Sequence, residues 1–250
     1  MGLYIETRIR ADLDDLWART QDPAQHQRWD LRFTEIDYLP RAEGEPQRFR
    51  YATRVLPFLT LSGTGVAAGE KERPDGTRTS ALRFASPHPL SLLAEGSGYW
   101  RYVPDAHGIQ FLTGYDYRPR WGTFGAVTDH LVVRPLMGWA TAWSFDRLRL
   151  WLERGITPER ALANWLAELV VRALVLTVCV TGLGLGPFLR AFGPFEVFVI
   201  YLCPLLLVVA ASLALLKSPL ACTPAARRCL RAPVVQAGTP RVLRTLEKHG

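Results

Sequence analysis

Apolar and polar positions divide this chain into a strand-rich first half and a helical second half. Tyr4, Thr7 and Ile9 alternate loosely with polar partners, as a first strand would. Asp12 then reads as an N-cap, with Asp14 and Asp15 in the first turn and Leu13, Leu16 and Trp17 at helical spacing. Asp22-Pro23 breaks that helix, and residues 24–29 form one more short turn of helix. From Arg32 the period becomes two, through RFTEIDYL, QRFRYATRV, LTLSGTGVAAGEKE, TSALRFAS, GYWRYV and IQFLTGYDYRP. Turn clusters such as Pro74-Asp75-Gly76 separate these segments, and no helix intervenes. Such a series predicts an antiparallel meander.

After Trp121-Gly122 the period returns to that of a helix. Val132, Leu136, Trp139 and Trp143 form one apolar stripe, and Pro135 predicts a kink or break near its start. Gly155 suits a C-terminal cap, and Thr157-Pro158 opens another helix that runs on into an apolar region.

That region extends from Leu169 to Leu216. Residues 173–189 and 197–216 carry no charge, and the second run of 20 residues gives a helix of about 30 Å, the thickness of a bilayer's hydrocarbon core. The link between them holds Gly193-Pro194, a turn signal, so two membrane-spanning helices in a tight hairpin are expected. Gly182-x-x-x-Gly186 would let the second helix approach the first closely.

Charge sharpens this reading. Of the formal +7, the segment after Leu216 carries seven Lys or Arg against Glu247, which leaves about +1 for the rest. A basic segment immediately after a span is expected in the cytoplasm, against anionic lipid, so both termini are expected there. The folded part then gives little support for nucleic-acid binding. The first residues lack the apolar run of a secretory signal. Cys179, Cys203, Cys222 and Cys229 all lie in or after the apolar region, so no disulfide framework is implied before it.

The stretches ADLDDLWARTQDPAQHQRWD, FLTGYDYRPRWG and RPLMGWATAWSFDRLRLWLERG, within a strand, two short helices, a meander and a long helix, resemble the START-like, or SRPBCC, superfamily, particularly its polyketide cyclase/dehydrase-type branch. The resemblance implies an α+β helix-grip fold over residues 1–155. It also implies a cavity between the curved sheet and the last helix. Residues 156–168 would be a linker helix, 169–189 and 195–216 the two spans, and 217–250 a basic cytoplasmic tail. Alternation places Phe49, Tyr51, Thr53 and Val55 on one strand face and Phe111, Thr113, Tyr115 and Tyr117 on another. Phe49, Tyr51, Phe111, Thr113, Tyr115 and Tyr117 of these faces, with Phe84, Leu136 and Trp139, are the expected cavity lining.

His26, Asp30, His88, His107 and His130 are the candidates for acid-base chemistry, and no histidine spacing points to a metal or other cofactor. Two function classes remain, with a third option, a structural or stress-linked membrane protein whose pocket is vestigial, also open. One is a membrane-anchored domain binding a hydrophobic small molecule such as a lipid, polyketide or isoprenoid. The other is a cyclase or dehydratase-like enzyme acting on a hydrophobic substrate at the membrane.

Overall fold

The computed structural model describes residues 2–189 and 202–232. The strand β1 (Leu3–Ile9) is followed by helices α1 (Leu13–Gln21) and α2 (Pro23–Trp29). Asp12 caps α1 by accepting from Asp14 N at 2.8 Å, and Asp22 caps α2 by accepting from Ala24 N at 2.9 Å. Six strands follow: β2 (Glu35–Tyr38), β3 (Arg48–Leu56), β4 (Leu59–Glu72), β5 (Arg78–Ala85), β6 (Leu93–Asp105) and β7 (Gly108–Pro119). All pair antiparallel in one seven-stranded sheet of order β1-β7-β6-β5-β4-β3-β2. The meander expected from the period-two segments is therefore present strand for strand.

Glycines and aromatic residues pair across the sheet. Phe49 stands opposite Gly65, Tyr51 opposite Gly63 and Phe84 opposite Gly96. Each ring lies over its glycine, where a Cβ would collide with it. The ring thus covers backbone that a glycine leaves bare. Register shifts at Arg54/Leu56, Ala67/Gly69 and Leu93/Glu95 bend the sheet, with Gly69 at φ +135° supplying a conformation side chains rarely adopt.

Helix α3 (Gly122–Thr128) leads through one π-helical turn (Asp129–Val133) into α4 (Arg134–Arg154), which closes on Gly155 at φ +64°. The backbone N–H of Arg134 reaches back five residues to Asp129 O. Pro135 follows directly; it has no N–H to give and its ring crowds the preceding turn, so a widened turn here fits its chemistry. α4 then crosses the inner sheet face, stacking Phe145 on Phe111 at 4.5 Å. Trp29 of α2 meets both Phe145 and Trp100 at 6.2 Å. With Ile5, Ile9, Leu16 and Leu148 these buried side chains form the core. A curved antiparallel sheet closed over a long helix is the helix-grip arrangement.

The chain forms two compact units, Met1–Pro158 with Ala225–Gly250, and Glu159–Pro224. In the first, residues 225–230, part of the segment 217–250 expected as a basic cytoplasmic tail, return to α4 and β1. Leu230 exchanges two backbone hydrogen bonds with Glu6, both at 2.9 Å, and Cys229 Sγ donates to Ala142 O at 3.2 Å. In the second unit, helix α5 (Pro158–Leu189) is continuous, so the expected linker and first span are one element. Its stretch Pro158–Leu185 is long and apolar enough to cross a bilayer, with mean hydropathy 2.0, and little of it is buried. Helix α6 (Cys203–Leu216) has 14 residues, or about 21 Å. Residues 195–201 of the expected second span lie outside the described residues. α6 runs antiparallel to α5: Leu207 lies against Gly182, and Arg172 reaches Ala214 O at 2.6 Å and Lys217 O at 3.0 Å.

Candidate functional site

A buried polar cluster lies where α2, the inner sheet face and α4 meet. Asp30 follows α2 directly and is 1% exposed. Arg32 grips it with two nitrogens, Nε to Oδ1 at 2.9 Å and Nη2 to Oδ2 at 2.6 Å. This two-pronged geometry suits guanidinium and carboxylate and gives the pair its orientation. His26, one helical turn before Asp30, lies 3.0 Å from the same Oδ2 through Nε2. A carboxylate only accepts, so the imidazole proton sits on Nε2. The His26 ring is stacked on Trp29 at 4.9 Å and meets the edges of Trp100 and Phe33 at 4.8 and 5.3 Å.

Burial sets the protonation states. It depresses the His26 pKa, and the attraction of Asp30 does not restore it. Burial alone would raise the Asp30 carboxyl, but the Arg32 guanidinium and the His26 hydrogen bond outweigh it and hold Asp30 well below the usual carboxylate range. The site at neutral pH is therefore an ion pair beside a neutral imidazole. From the sheet, Tyr115 lies under Arg32, 5.6 Å from guanidinium to ring, and its hydroxyl is 3.1 Å from Thr141 Oγ1 on α4. Burial raises the Tyr115 pKa, so the phenol stays protonated. From α4, Ser144 Oγ accepts from Leu31 N at 2.8 Å, fixing the loop that carries the pair.

The nine residues expected to line a cavity separate into groups. Phe49, Tyr51 and Phe84 stand half-buried on the inner face of β3 and β5. Burial pushes the Tyr51 phenol up to about 12. Phe111 and Thr113 are packed core; Thr113 Oγ1 donates to Tyr99 O at 2.9 Å. Tyr115 belongs to the polar cluster. Tyr117 donates to Asp129 Oδ1 at 2.5 Å, and Trp139 is half-buried beside Trp143 at 6.3 Å. Leu136 does not join them: it lies in the first turn of α4 and is 58% exposed, while Trp139 and Trp143 further along the same stripe are half-buried and buried.

Of the acid-base candidates, His26 and Asp30 come together, whereas His107 and His130 are exposed. His88 accepts from Leu90 N at 3.2 Å through Nδ1. Sequence reasoning missed Arg32. Its sign was the spacing His26-x3-Asp30-x-Arg32, which begins on the last turn of a short helix next to Trp29.

A second feature is an open depression of about 580 Å³ at the β1 edge, bordered by Leu3, Tyr4, Asp129, His130, Arg134 and Arg231. None of the nine expected residues lines it.

No family model matches the chain. It is 48% identical over 163 residues to "Uncharacterized membrane protein YndG" of Bacillus subtilis (strain 168); the match covers 65% of this chain and 61% of that relative. Among solved structures, it is similar to a STAR-related lipid transfer protein of Xanthomonas axonopodis, at 21% identity and TM-score 0.45 over 60% of this chain and 84% of the other. It is also similar to the Zhui aromatase/cyclase of Streptomyces sp. R1128, at 17% identity and TM-score 0.40 over 60% and 96% of the two chains.

Proposed function

We propose that this is a membrane-anchored helix-grip domain that holds a hydrophobic or amphiphilic small molecule between the sheet and α4. The observation that carries this reading is the contrast along the inner sheet face. Under α4 the face is sealed by Phe111, Phe145 and Trp29, while over β3 and β5 the rings of Phe49, Tyr51 and Phe84 and the side chain of Leu82 remain half-exposed on the same face. Aromatic side chains left uncovered on a concave surface are the usual lining of a ligand site. Asp30, Arg32 and Tyr115 supply its polar end.

Membrane anchoring rests on α5 together with the return of residues 225–230 to the first unit. If α5 crosses the bilayer, the chain must cross back before Ala225, and α6 is the apolar helix available for that crossing. This is the hairpin with both ends of the soluble unit on one side, and the excess of Lys and Arg outside the apolar helices makes that side the cytoplasm. The membrane-protein name of the Bacillus subtilis relative agrees.

The test is titration of the full chain in detergent with a fluorescent polycyclic probe. Wild type is expected to bind, and Leu82→Trp, which fills the open part of the face, to weaken binding at least tenfold without loss of thermal stability. Absence of probe binding to wild type, or equal binding by the variant, overturns the reading. The acid-base cluster favours a second reading, an enzyme of the cyclase or dehydratase kind in which neutral His26 or Tyr115 transfers a proton. Chemical change of a bound polyketide-like probe, lost in His26→Gln, would distinguish it.

A further inference from the structure

The depression at the β1 edge has a composition unlike the interior site. His130 and Arg134, one turn apart across the π-helical turn, face it from one wall, and Arg231 of the returning segment faces it from another. Leu3, Pro119 and Ala126 contribute apolar walls. The carboxylate among the lining residues, Asp129, is buried and already accepts from Tyr117 at 2.5 Å and from Arg134 at 3.2 Å. The nearby Glu6 accepts from Tyr4 at 2.5 Å and from Gln110 at 2.6 Å. Arg231, by contrast, is exposed and has no ion-pair partner among the described residues. Among the lining residues one acid faces two arginines and a histidine; Asp116 also acts on Arg134, so the positive excess of the depression rests on Arg231.

Beside it runs an exposed apolar face. Phe124, Val127, Leu131 and Val132 are 71%, 53%, 68% and 56% exposed on α3 and the π-helical turn. Val127 and Leu131 are one turn apart and adjacent in sequence to the elements carrying His130 and Arg134. A cationic hollow bordered by exposed aliphatic side chains matches a ligand with an anionic head and an apolar body. Guanidinium groups take phosphate oxygens in pairs, and the aliphatic ledge would shield acyl chain from water.

We propose that this depression binds the phosphate of an anionic lipid, with the acyl chains lying along Val127 and Leu131. It lies outside the interior site and does not depend on it. Because Arg231 belongs to the segment that follows α6, the site is complete only when that segment is docked on the first unit.

The proposal is tested by isothermal titration of the full chain, in an uncharged detergent, with dihexanoyl phosphatidylglycerol, dihexanoyl phosphatidylcholine and inorganic phosphate. Phosphatidylglycerol is expected to bind at least tenfold more tightly than either of the others. Arg231→Gln is expected to lose about tenfold and Arg231→Lys to recover part of it, while unfolding temperatures stay unchanged. Raised salt should weaken binding. His130→Ala, at another exposed position, should weaken it independently. Equal binding of phosphatidylcholine, or an Arg231→Gln variant that binds like wild type, overturns the proposal. Inorganic phosphate binding as tightly as the lipid overturns the lipid assignment and identifies a free anion as the ligand. The interior reading fails on a different measurement, the titration with an uncharged polycyclic probe.

Discussion

Arg228 places Nη1 2.8 Å from Oδ2 of Asp146, a fully buried carboxylate 82 residues earlier on α4. Asp146 also accepts from Ala225 N at 2.8 Å and from Arg149 at 2.7 Å, so two of these three partners come from beyond the apolar helices. A charge removed from water is stable only while its partners remain. Arg228→Ala should therefore destabilise the first unit by about 1.5–3 kcal/mol, the range for hydrogen bonds to charged groups. Thermal unfolding of the full chain followed by near-UV circular dichroism measures this. A fragment ending at residue 155 should unfold with lower cooperativity than one in which residues 225–232 are rejoined to it through a flexible linker. Equal transitions would show that the returning segment contributes nothing.

The same return of the chain makes a topological prediction. Cys222 is partly exposed, whereas Cys229 is buried with its thiol pushed up to about 12, and Cys179 and Cys203 lie in the apolar helices. An impermeant maleimide should therefore label Cys222 in preference to the other three, since the thiolate is the reactive form. In membrane vesicles of defined orientation, Cys222 should react from the same side as a cysteine placed at Glu43 in the exposed β2–β3 loop. Reaction of the two from opposite sides would mean an odd number of crossings and rule out the hairpin.

The sheet was readable in sequence because its period-two segments are long and bounded by turn residues, and because the caps at Asp12, Asp22 and Gly155 obey local chemistry. The inner-face positions Phe49, Tyr51 and Tyr115 followed from alternation alone. Leu136 was misplaced because periodicity gives the face of a helix and not the point along it where burial begins; on this stripe burial starts at Trp139 and is complete at Trp143. Arg32 escaped notice because a buried guanidinium is recognisable only once its carboxylate is seen beside it. Docking of residues 225–230 was hidden for a similar reason. Basic residues after a span read as a cytoplasmic segment against anionic lipid, and the buried acid that binds one of them lies far away in sequence.

Arg172 would be a costly residue inside a span, yet it is the polar tie between α5 and α6. It donates to Glu168 Oε1 from Nε at 3.0 Å and to the carbonyls of Ala214 and Lys217, which the end of α6 leaves without helical donors. Arg172→Leu should raise the apolarity of α5 and still loosen the second unit, since Glu168 and those carbonyls lose their donor. Cross-linking between cysteines placed at Gly182 and Leu207, which pack together, reports the hairpin. Yield should fall severalfold in Arg172→Leu and hold in Arg172→Lys. Unchanged yield in the leucine variant would show that apolar packing alone holds the helices.

The interior cluster gives stability a specific pH dependence. His26 is held neutral, with its pKa below the ordinary 6.5, so below that pH the unfolded chain binds a proton that the folded chain refuses. Stability should therefore decline as pH falls from about 6.5 toward the folded pKa. Asp30 is also depressed, so its contribution is intact above the ordinary carboxylate range near 4 and is lost as pH falls below it. Two windows of acid destabilisation follow, His26 in the upper and Asp30 in the lower. Unfolding temperature measured at half-unit intervals from pH 7.5 to about 2 should show both, and His26→Gln should flatten the upper one. Asp30→Asn should cost about 3–5 kcal/mol at pH 7, because it leaves Arg32 buried opposite a neutral amide. A His26→Gln variant that keeps the full slope between pH 6.5 and 5 would mean that another group governs that window.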